Sequence, residues 1–484
     1  MLVNILQTFD DANGKRRFAG ENPDVDPAIA RQWIADGRAA ADTDNTEGAL
    51  VFPDLPTLIS TYPASSNAGK SAMAGPLGLY RSDGIGWRPV LQSFSGLRAE
   101  SADFGDSITA NGFTGTYNAG YASVGSMQWA GALAPTANGP LIIPKYNHGV
   151  GGDTLLMMIA RLPDVLARDV DIVNYLGGTN SIGLSYQDFC DQQETIIGTL
   201  AGAKKLVTVR SMPPQNRTGS AYRQVIPYYN QAIQRICSKY ANVIFLDTYG
   251  NLVDPTSADG VPYGYGGANY VLKDEIGTFG IDLHPSDAGG LRDGLAISKV
   301  LAPRLSTVMG ETYGGNLITL AGAAGTLSNG TGTVTGDNPF TGWAVSVASG
   351  NATVAVQRAP NGCPNGLRIS ITSTTASAVT ITGPNLVAGV NTTQSVRHGS
   401  KLRIANVSNI TNLRSELVSG GIVRSRTIDY IASVPAQGLS CWQRSRLFAL
   451  SGIGADLIPR LVINTAGTSS IQFDWLDPEL FVVS

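Results

Sequence analysis

The sequence predicts a multidomain chain in which a central α/β region, built on a parallel sheet, lies between a small β-rich N-terminal module and a C-terminal β-sandwich. Three observations predict it. At 484 residues the chain is too long for one hydrophobic core. From Leu97 to Leu305 short apolar runs alternate with stretches of helical period, the pattern of successive β-α units. Beyond about Glu311 the chain turns rich in Thr, Ser, Val, Gly and Asn with apolar residues at every second position, the pattern of half-buried strands. The boundaries read as 1–95, 96–310 and 311–484.

In the first region, residues 52–91 alternate short apolar runs with turn signals such as Asn67-Ala68-Gly69 and Ser82-Asp83-Gly84. In the central region the clearest strands are Leu141–Ile143, Asp171–Leu176, Leu206–Val209 and Val243–Leu246, and a less apolar one spans Leu97–Phe104. Tyr229, Ile233, Ile236 and Tyr240 mark one face of a helix. Right-handed crossovers then bring the loops after these strands to one edge of the sheet, where open α/β folds bind ligands. In the last region Leu367, Ile369 and Ile371, and likewise Val379 and Ile381, define strand faces, with turns at Asn329-Gly330, Asn361-Gly362 and Asn365-Gly366.

Composition narrows the function. Apolar residues make up 43% and charged residues 15%, so Ser, Thr, Asn, Gln and Gly must cover much of the surface. A formal net charge of -3 without a long basic run gives no electrostatic footprint for nucleic acid. No stretch is long and apolar enough for a membrane-spanning helix, so neither nucleic acid nor membrane is expected as partner. The start, MLVNILQTFDDANGKRRF, lacks the apolar run of a secretory signal, and synthesis in a cytoplasm is expected. Cys190, Cys237, Cys363 and Cys441 form no CxxC pair; isolated core thiols are expected, with a Cys363–Cys441 bridge as the alternative.

Only three histidines exist, His148, His284 and His398, so a serine hydrolase would have little choice of general base. Four short blocks stand in order. Gly105-Asp106-Ser107 opens the α/β region, Asn147 to Thr154 contains Gly149-Val150-Gly151-Gly152, Gly178-Thr179-Asn180 follows the run Ile172 to Leu176, and Asp282-Leu283-His284-Pro285 comes last. Each block alone is an ordinary turn or helix cap. In this order, each after a predicted strand, the set resembles the SGNH (GDSL-type) hydrolases. That resemblance implies a three-layer, flavodoxin-like α/β domain, with Ser107 as nucleophile, His284 as base, and an oxyanion hole made by the N–H groups of Ser107 and Gly152 and the side-chain amide of Asn180. Glycine at 152 would let the backbone approach the substrate without a Cβ.

The sequence departs from the family pattern where the acid is expected. The family has it three residues before the histidine, but position 281 is Ile and Asp282 is two before. Asp282 is the first choice, with Asp274, Glu275 or a backbone carbonyl as alternatives for orienting His284. Ser181 stands where the family most often has aspartate. His148 reads as a loop residue near the oxyanion glycine and a weak candidate for substrate contact, and His398 as a surface residue. The chemistry requires no cofactor and no metal, and the Gly149–Gly152 loop lacks the Gly-Lys-Ser/Thr ending of a P-loop.

The segments Pro53–Leu58, Tyr62–Lys70 and Leu79–Val90 resemble a small module of bacteriophage tail proteins. That resemblance implies attachment to other phage tail proteins through the N-terminal region, a homotrimer, and a place in the virion reached by lysis of the host. The last region is similar in layout to jelly-roll carbohydrate-binding modules, with Trp343, Trp442 and Trp475 as candidates for sugar stacking and a trimerising role as the alternative. The expected activity is removal of acyl groups, O-acetyl foremost, from acylated bacterial surface polysaccharide. The alternatives are a receptor-binding adhesin with an inactive hydrolase domain, and a bacterial carbohydrate esterase with an appended binding module.

Overall fold

The structure is a computed structural model. In the N-terminal part it describes residues 3–5, 9–10, 16–17, 39–41, 50–52, 60–61, 63–66, 71–74, 79–82 and 87–89. Beyond these it describes 94–111, 125–136, 139–215, 221–240, 242–256, 261–262, 271–272, 283–308, 313–318, 325–359, 365–387, 393–431, 439–445, 448–449 and 456–483. The chain divides into two compact units, Met1–Ser93 and Phe94–Ser484. In the first, Leu50–Phe52, Ser71–Ala74, Leu79–Ser82 and Trp87–Pro89 form a four-stranded sheet in that order. Most of the segments that resemble the tail module lie outside the described residues.

The larger unit begins with β1 (Phe94–Arg98) and β2 (Glu100–Gly105) and continues through β3 (Ile143–Gly149), β4 (Ile172–Leu176), β5 (Leu206–Arg210), β6 (Val243–Leu246) and β7 (Leu305–Val308). Its helices are α1 (Ser107–Asn111), α2 (Ser126–Leu133), α3 (Leu155–Leu166), α4 (Tyr186–Ala203), α5 (Ala221–Cys237), α6 (Thr248–Leu252) and α7 (Asp287–Leu301). Strands β3-β2-β4-β5-β6 form a parallel sheet in that order, with β2 starting in the interior and the chain then running to both sides. This is the flavodoxin-like order, whose ligand crevice opens at the carboxyl ends of the strands beside the first one. Ala102, Phe104, Val173, Tyr175, Val207 and Val209 pack one face against α3, α4 and α5, and Ile172, Leu206 and Ile244 pack the other against Met127, Ala130, Ile297 and Leu301.

Two strand expectations change. Leu141 and Ile142 are buried but precede the strand, which runs through the polar segment Pro144 to Gly149. As the edge of the sheet, β3 is covered only in part, so its residues need not be apolar. The stretch Leu97–Phe104 is two strands, and β1 leaves the main sheet to pair in parallel with β7.

The C-terminal region is a pair of sheets. One runs Thr333–Gly336, Thr353–Arg358, Gly366–Ser373, Ser469–Val483, Ser395–Val407 and Ser440–Arg444, with Tyr313–Asn316 and Phe448–Ala449 added at its sides. The other runs Thr326–Ser328, Ala344–Ser349, Ser377–Thr382, Ile458–Thr465, Ile410–Ser419 and Ile422–Ile431. Alternate residues such as Leu367, Ile369, Ile371, Val379 and Ile381 are fully buried between them, as period 2 dictates. Trp129 and Ala132 of α2 and Ala288 and Leu291 of α7 belong to the same core cluster, so sandwich and α/β region share buried surface.

Trp343 and Trp475 meet edge to face at the centre of this core, with ring centroids 5.2 Å apart, and neither is open to a sugar. The half-buried ring of Trp442 faces the cations of Arg444 and Lys401. His398 is buried, which corrects the surface expectation: Ser395–Val407 is an interior strand of its sheet, between Ser469–Val483 and Ser440–Arg444. Cys237 and Cys441 are buried free thiols and Cys190 is a partly exposed one, whereas Cys363 lies outside the described residues.

Candidate active site

Three carboxyl ends of adjacent parallel strands deliver the first three blocks to one edge of the sheet. Strand β2 ends at Gly105 and the chain turns at once into α1, so Ser107 stands at the head of that helix. The turn is tight: a Cβ on Gly105 would lie 2.1 Å from the carbonyl oxygen of Leu176 and 2.3 Å from Oγ1 of Thr109. Strand β3 ends at Gly149, where a Cβ would lie 2.2 Å from the backbone nitrogen of Ala110. Glycine at these two positions lets the three segments close on one another. Asn147 ties them further, its Oδ1 accepting the Gly149 N–H at 2.8 Å and its amide donating to the carbonyls of Thr109 and Ala110 at 3.3 Å each.

His284 enters from the chain just before α7, whose N-cap is Ser286. Its Nε2 lies 2.9 Å from Oγ of Ser107, across 177 residues of sequence. At that distance the imidazole can take the hydroxyl proton as the oxygen attacks. Asp282, Asp274 and Glu275 lie outside the described residues.

Gly152 occupies the turn after β3 with φ +82°, a left-handed backbone that disfavours any side chain. Among the described residues nothing beyond its chain neighbours lies within 4 Å of a Cβ built there, so conformation rather than crowding accounts for this glycine. Gly151, its neighbour, comes to 4.0 Å of the Ser107 Cβ by the same construction. Asn180 lies in a single 3-10 turn, Thr179–Ser181, and its Nδ2 donates to the carbonyl of Asp153 at 3.0 Å. One hydrogen of that amide is thereby fixed and the second is left for another acceptor. Ser181 accounts for its own departure from the family pattern: its Oγ accepts the N–H of Leu155 at 2.9 Å and pins the start of α3 to the turn that carries Asn180.

Asp106 is fully buried beside the serine, with Oδ1 accepting the Ile108 N–H at 2.9 Å. Burial pushes its carboxyl up to about 7, while that N–H, the Thr179 hydroxyl and the charge of Arg210 pull the other way. On the sheet face toward α2 and α7 a buried polar network runs through Asp103, Asn174 and Thr208. Asn174 donates to Asp103 at 2.7 Å and accepts from Thr208 at 2.7 Å, and Gln128 donates to Asp103 at 3.1 Å. Arg210 pairs with the wholly buried Asp293 at 3.0 Å and donates to Ser126 and Thr248. This network is the polar side of a cavity that Ile108, Thr109, Leu176 and Pro285 line from the serine side.

Ser107 and His284 are thus in hydrogen-bond contact, and Gly152 and Asn180 stand on the loops beside them. His148 does not join them. Its Nε2 accepts from Nε of Arg168 at 3.1 Å, and burial followed by the cations of Arg168 and Arg161 holds its imidazole below the usual range. Arg161, marked in the sequence only as a lone cation inside the apolar helix stretch LLMMIARLPDVL, binds two of these blocks, at Gly105 in the first and at His148 and Asp153 in the second. Among the described residues no group of His, Cys, Asp and Glu converges as a metal site.

A serine whose hydroxyl meets an imidazole, at the carboxyl edge of a flavodoxin-like sheet and ahead of two loops rich in amide donors, has the arrangement of an acyl-transfer site. Residues 104–290 match the GDSL-like Lipase/Acylhydrolase family, and the centre of the chain is a GDSL-like acylhydrolase domain of the esterase class. The solved structures similar to part of the chain include the following three. A protein of the G-D-S-L family from Desulfitobacterium hafniense is 18% identical, with 42% of this chain and 99% of that chain covered and a TM-score of 0.32. An acetylxylan esterase from Geobacillus stearothermophilus is 19% identical, with 43% and 95% covered and a TM-score of 0.33. An alpha/beta hydrolase enzyme from the metagenome of Lake Arreo, Spain, is 19% identical, with 43% and 97% covered and a TM-score of 0.33. No curated protein matches the chain.

Proposed function

We propose that this chain removes acyl groups, O-acetyl foremost, from acylated bacterial surface polysaccharide, and that it does so as a homotrimeric phage tail spike or fibre attached to other tail proteins through its N-terminal unit. The observation that carries the hydrolytic part is the 2.9 Å contact between His284 Nε2 and Ser107 Oγ. In the reaction, Ser107 Oγ attacks the ester carbonyl carbon while Nε2 of His284 takes its proton. The carbonyl oxygen becomes an anion facing the N–H groups of Ser107 and Gly152 and the free amide hydrogen of Asn180. Collapse breaks the bond to the sugar oxygen, which leaves with the proton from His284, and Ser107 keeps the acyl group. Water, deprotonated by the same imidazole, then releases acetate and restores the serine. Asp282 is assigned to hold the imidazole tautomer.

The exposed apolar side chains of Val150, Leu156 and Met157 stand on the loop and first helical turn that flank Gly152, a shoulder suited to a short acyl group. The tail-protein and polysaccharide parts rest on the sequence resemblance of residues 53–90 and on a surface poor in charge.

The test is hydrolysis of p-nitrophenyl acetate by the full chain. Ser107→Ala is expected to lower kcat by at least about 10³-fold at unchanged melting temperature. A wild-type protein without activity would favour the adhesin reading. Mass spectrometry of host glycans before and after treatment separates loss of acetyl units, which is expected, from chain shortening, which would refute deacetylation.

A further inference from the structure

We propose that Arg161 is the positioning residue of the oxyanion hole, a role that rests on the reading of Ser107, Gly152 and Asn180 given above. Its guanidinium lies under the site from the middle of α3 and meets two separate segments, the end of β2 and both sides of the glycine loop after β3. Nε donates to Oδ2 of Asp153 at 2.7 Å, and Nη2 reaches the same oxygen. Nη1 donates to the carbonyl of His148 at 3.0 Å, and Nη2 donates to the carbonyl of Gly105 at 3.3 Å. Gly105 is two residues before the nucleophile, His148 is the last but one residue of the strand that leads to the glycine loop, and Asp153 directly follows Gly152. The third donor is tied in as well, because the carbonyl of Asp153 receives the amide of Asn180 at 3.0 Å. One planar cation therefore sets the spacing of the three loops that carry the anion-binding donors.

The residue type matters. Arginine offers five N–H donors in a rigid plane, enough to hold two carbonyls and a carboxylate at once, whereas a lysine ammonium is a point charge on a flexible stem. The guanidinium is held on its other side by the ring of Phe104, 5.4 Å from its centre to the ring centroid, and its side chain is 22% exposed. Arg161 touches none of the reacting atoms. Its effect must pass through the distances among Ser107, Gly152 and Asn180, and displacement of a catalytic donor by about 1 Å can cost on the order of 10²-fold in rate.

The experiment uses the full chain, p-nitrophenyl acetate, and Arg161→Ala and Arg161→Lys. Both variants are expected to lose about 30- to 300-fold in kcat per folded molecule with KM changed by less than about threefold. Guanidinium ion at millimolar concentration should restore kcat in Arg161→Ala by about tenfold or more, with no matching rise in melting temperature. Should Arg161→Ala fail to fold, Asp153→Asn keeps the carbonyl contacts, removes the charge pair, and is expected to cost about tenfold in kcat. An active wild type with kcat unchanged in the variants, or a loss confined to KM or to the folded fraction, would overturn the role of Arg161 alone. An inactive wild type would instead overturn the hydrolytic reading beneath it.

Discussion

The α/β region and the sandwich bury polar groups in different ways. On one face of the parallel sheet the half near the carboxyl edge is polar, yet Ser101, Asp103, Asn174, Thr208 and Arg210 meet one another or the helices above them at hydrogen-bond distance. The sandwich interior is largely apolar and aromatic, and its buried charges stand in pairs, Glu479 with Arg444 and Glu416 with Arg426 and Arg460, whereas Nδ1 of the buried His398 meets no hydrogen-bond partner among the described residues. The difference teaches where each region can carry charge. A sheet whose strands all end at one edge can stack hydrogen-bonded polar rows behind its site, while these two facing sheets bury charge as arginine–carboxylate pairs.

The strongest way to break this comparison is to ask whether the two regions are separable. Trp129 belongs to α2 but packs in the cluster that holds Trp343 and Trp475. Trp129→Ala is expected to cost about 3–5 kcal/mol, with a single calorimetric transition in which sandwich signal and esterase activity disappear together. Two transitions, with activity lost only in one, would show the regions to be independent.

Two titrations sharpen it. Burial lowers the His398 imidazole to about 3, so the unfolded chain takes up a proton there at a pH where the folded one does not. Stability from this group is complete above about pH 6.5 and declines as pH falls toward 3, by at most about 4 kcal/mol. His398→Gln should match the wild type at pH 8 and melt above it at pH 4. Asp106 works in the opposite sense. Its carboxyl is raised to about 7, so the folded state holds the proton longer, and stability declines as pH rises from about 4 to 7. Asp106→Asn keeps the acceptor for the Ile108 N–H, and should melt above the wild type at pH 8 with the advantage gone below pH 4. The effect is expected to be somewhat smaller than at His398. An advantage largest in acid would contradict the burial argument.

The parts of this molecule legible from sequence were those written in local pattern. Alternation placed Ile369, Ile371, Val379 and Ile381 in the sandwich core because a strand has only two faces. The Ser107–His284 pairing was legible because a short Gly-Asp-Ser block sits at a turn that crowds any side chain at 105, and because the chain has only three histidines. What escaped was set by tertiary position. His398 looks like any polar strand residue until strands on both sides make its own an interior one. Segment Pro144–Gly149 looks like a loop because an edge strand may be polar. Arg161 gave no motif, since its partners are two carbonyls, invisible in sequence, and one carboxylate eight residues away.

The sequence separation of 177 positions between Ser107 and His284 also bears on the order in which the site forms. The imidazole precedes α7, and α7 sends Ala288 and Leu291 into a core whose Trp475 arrives only with the later strand Ser469–Val483. Because chains emerge in order and distant contacts close last, a ribosome-bound fragment holds the serine without a fixed proton acceptor. The serine–imidazole contact therefore waits on chain that lies far to the C-terminal side of both residues.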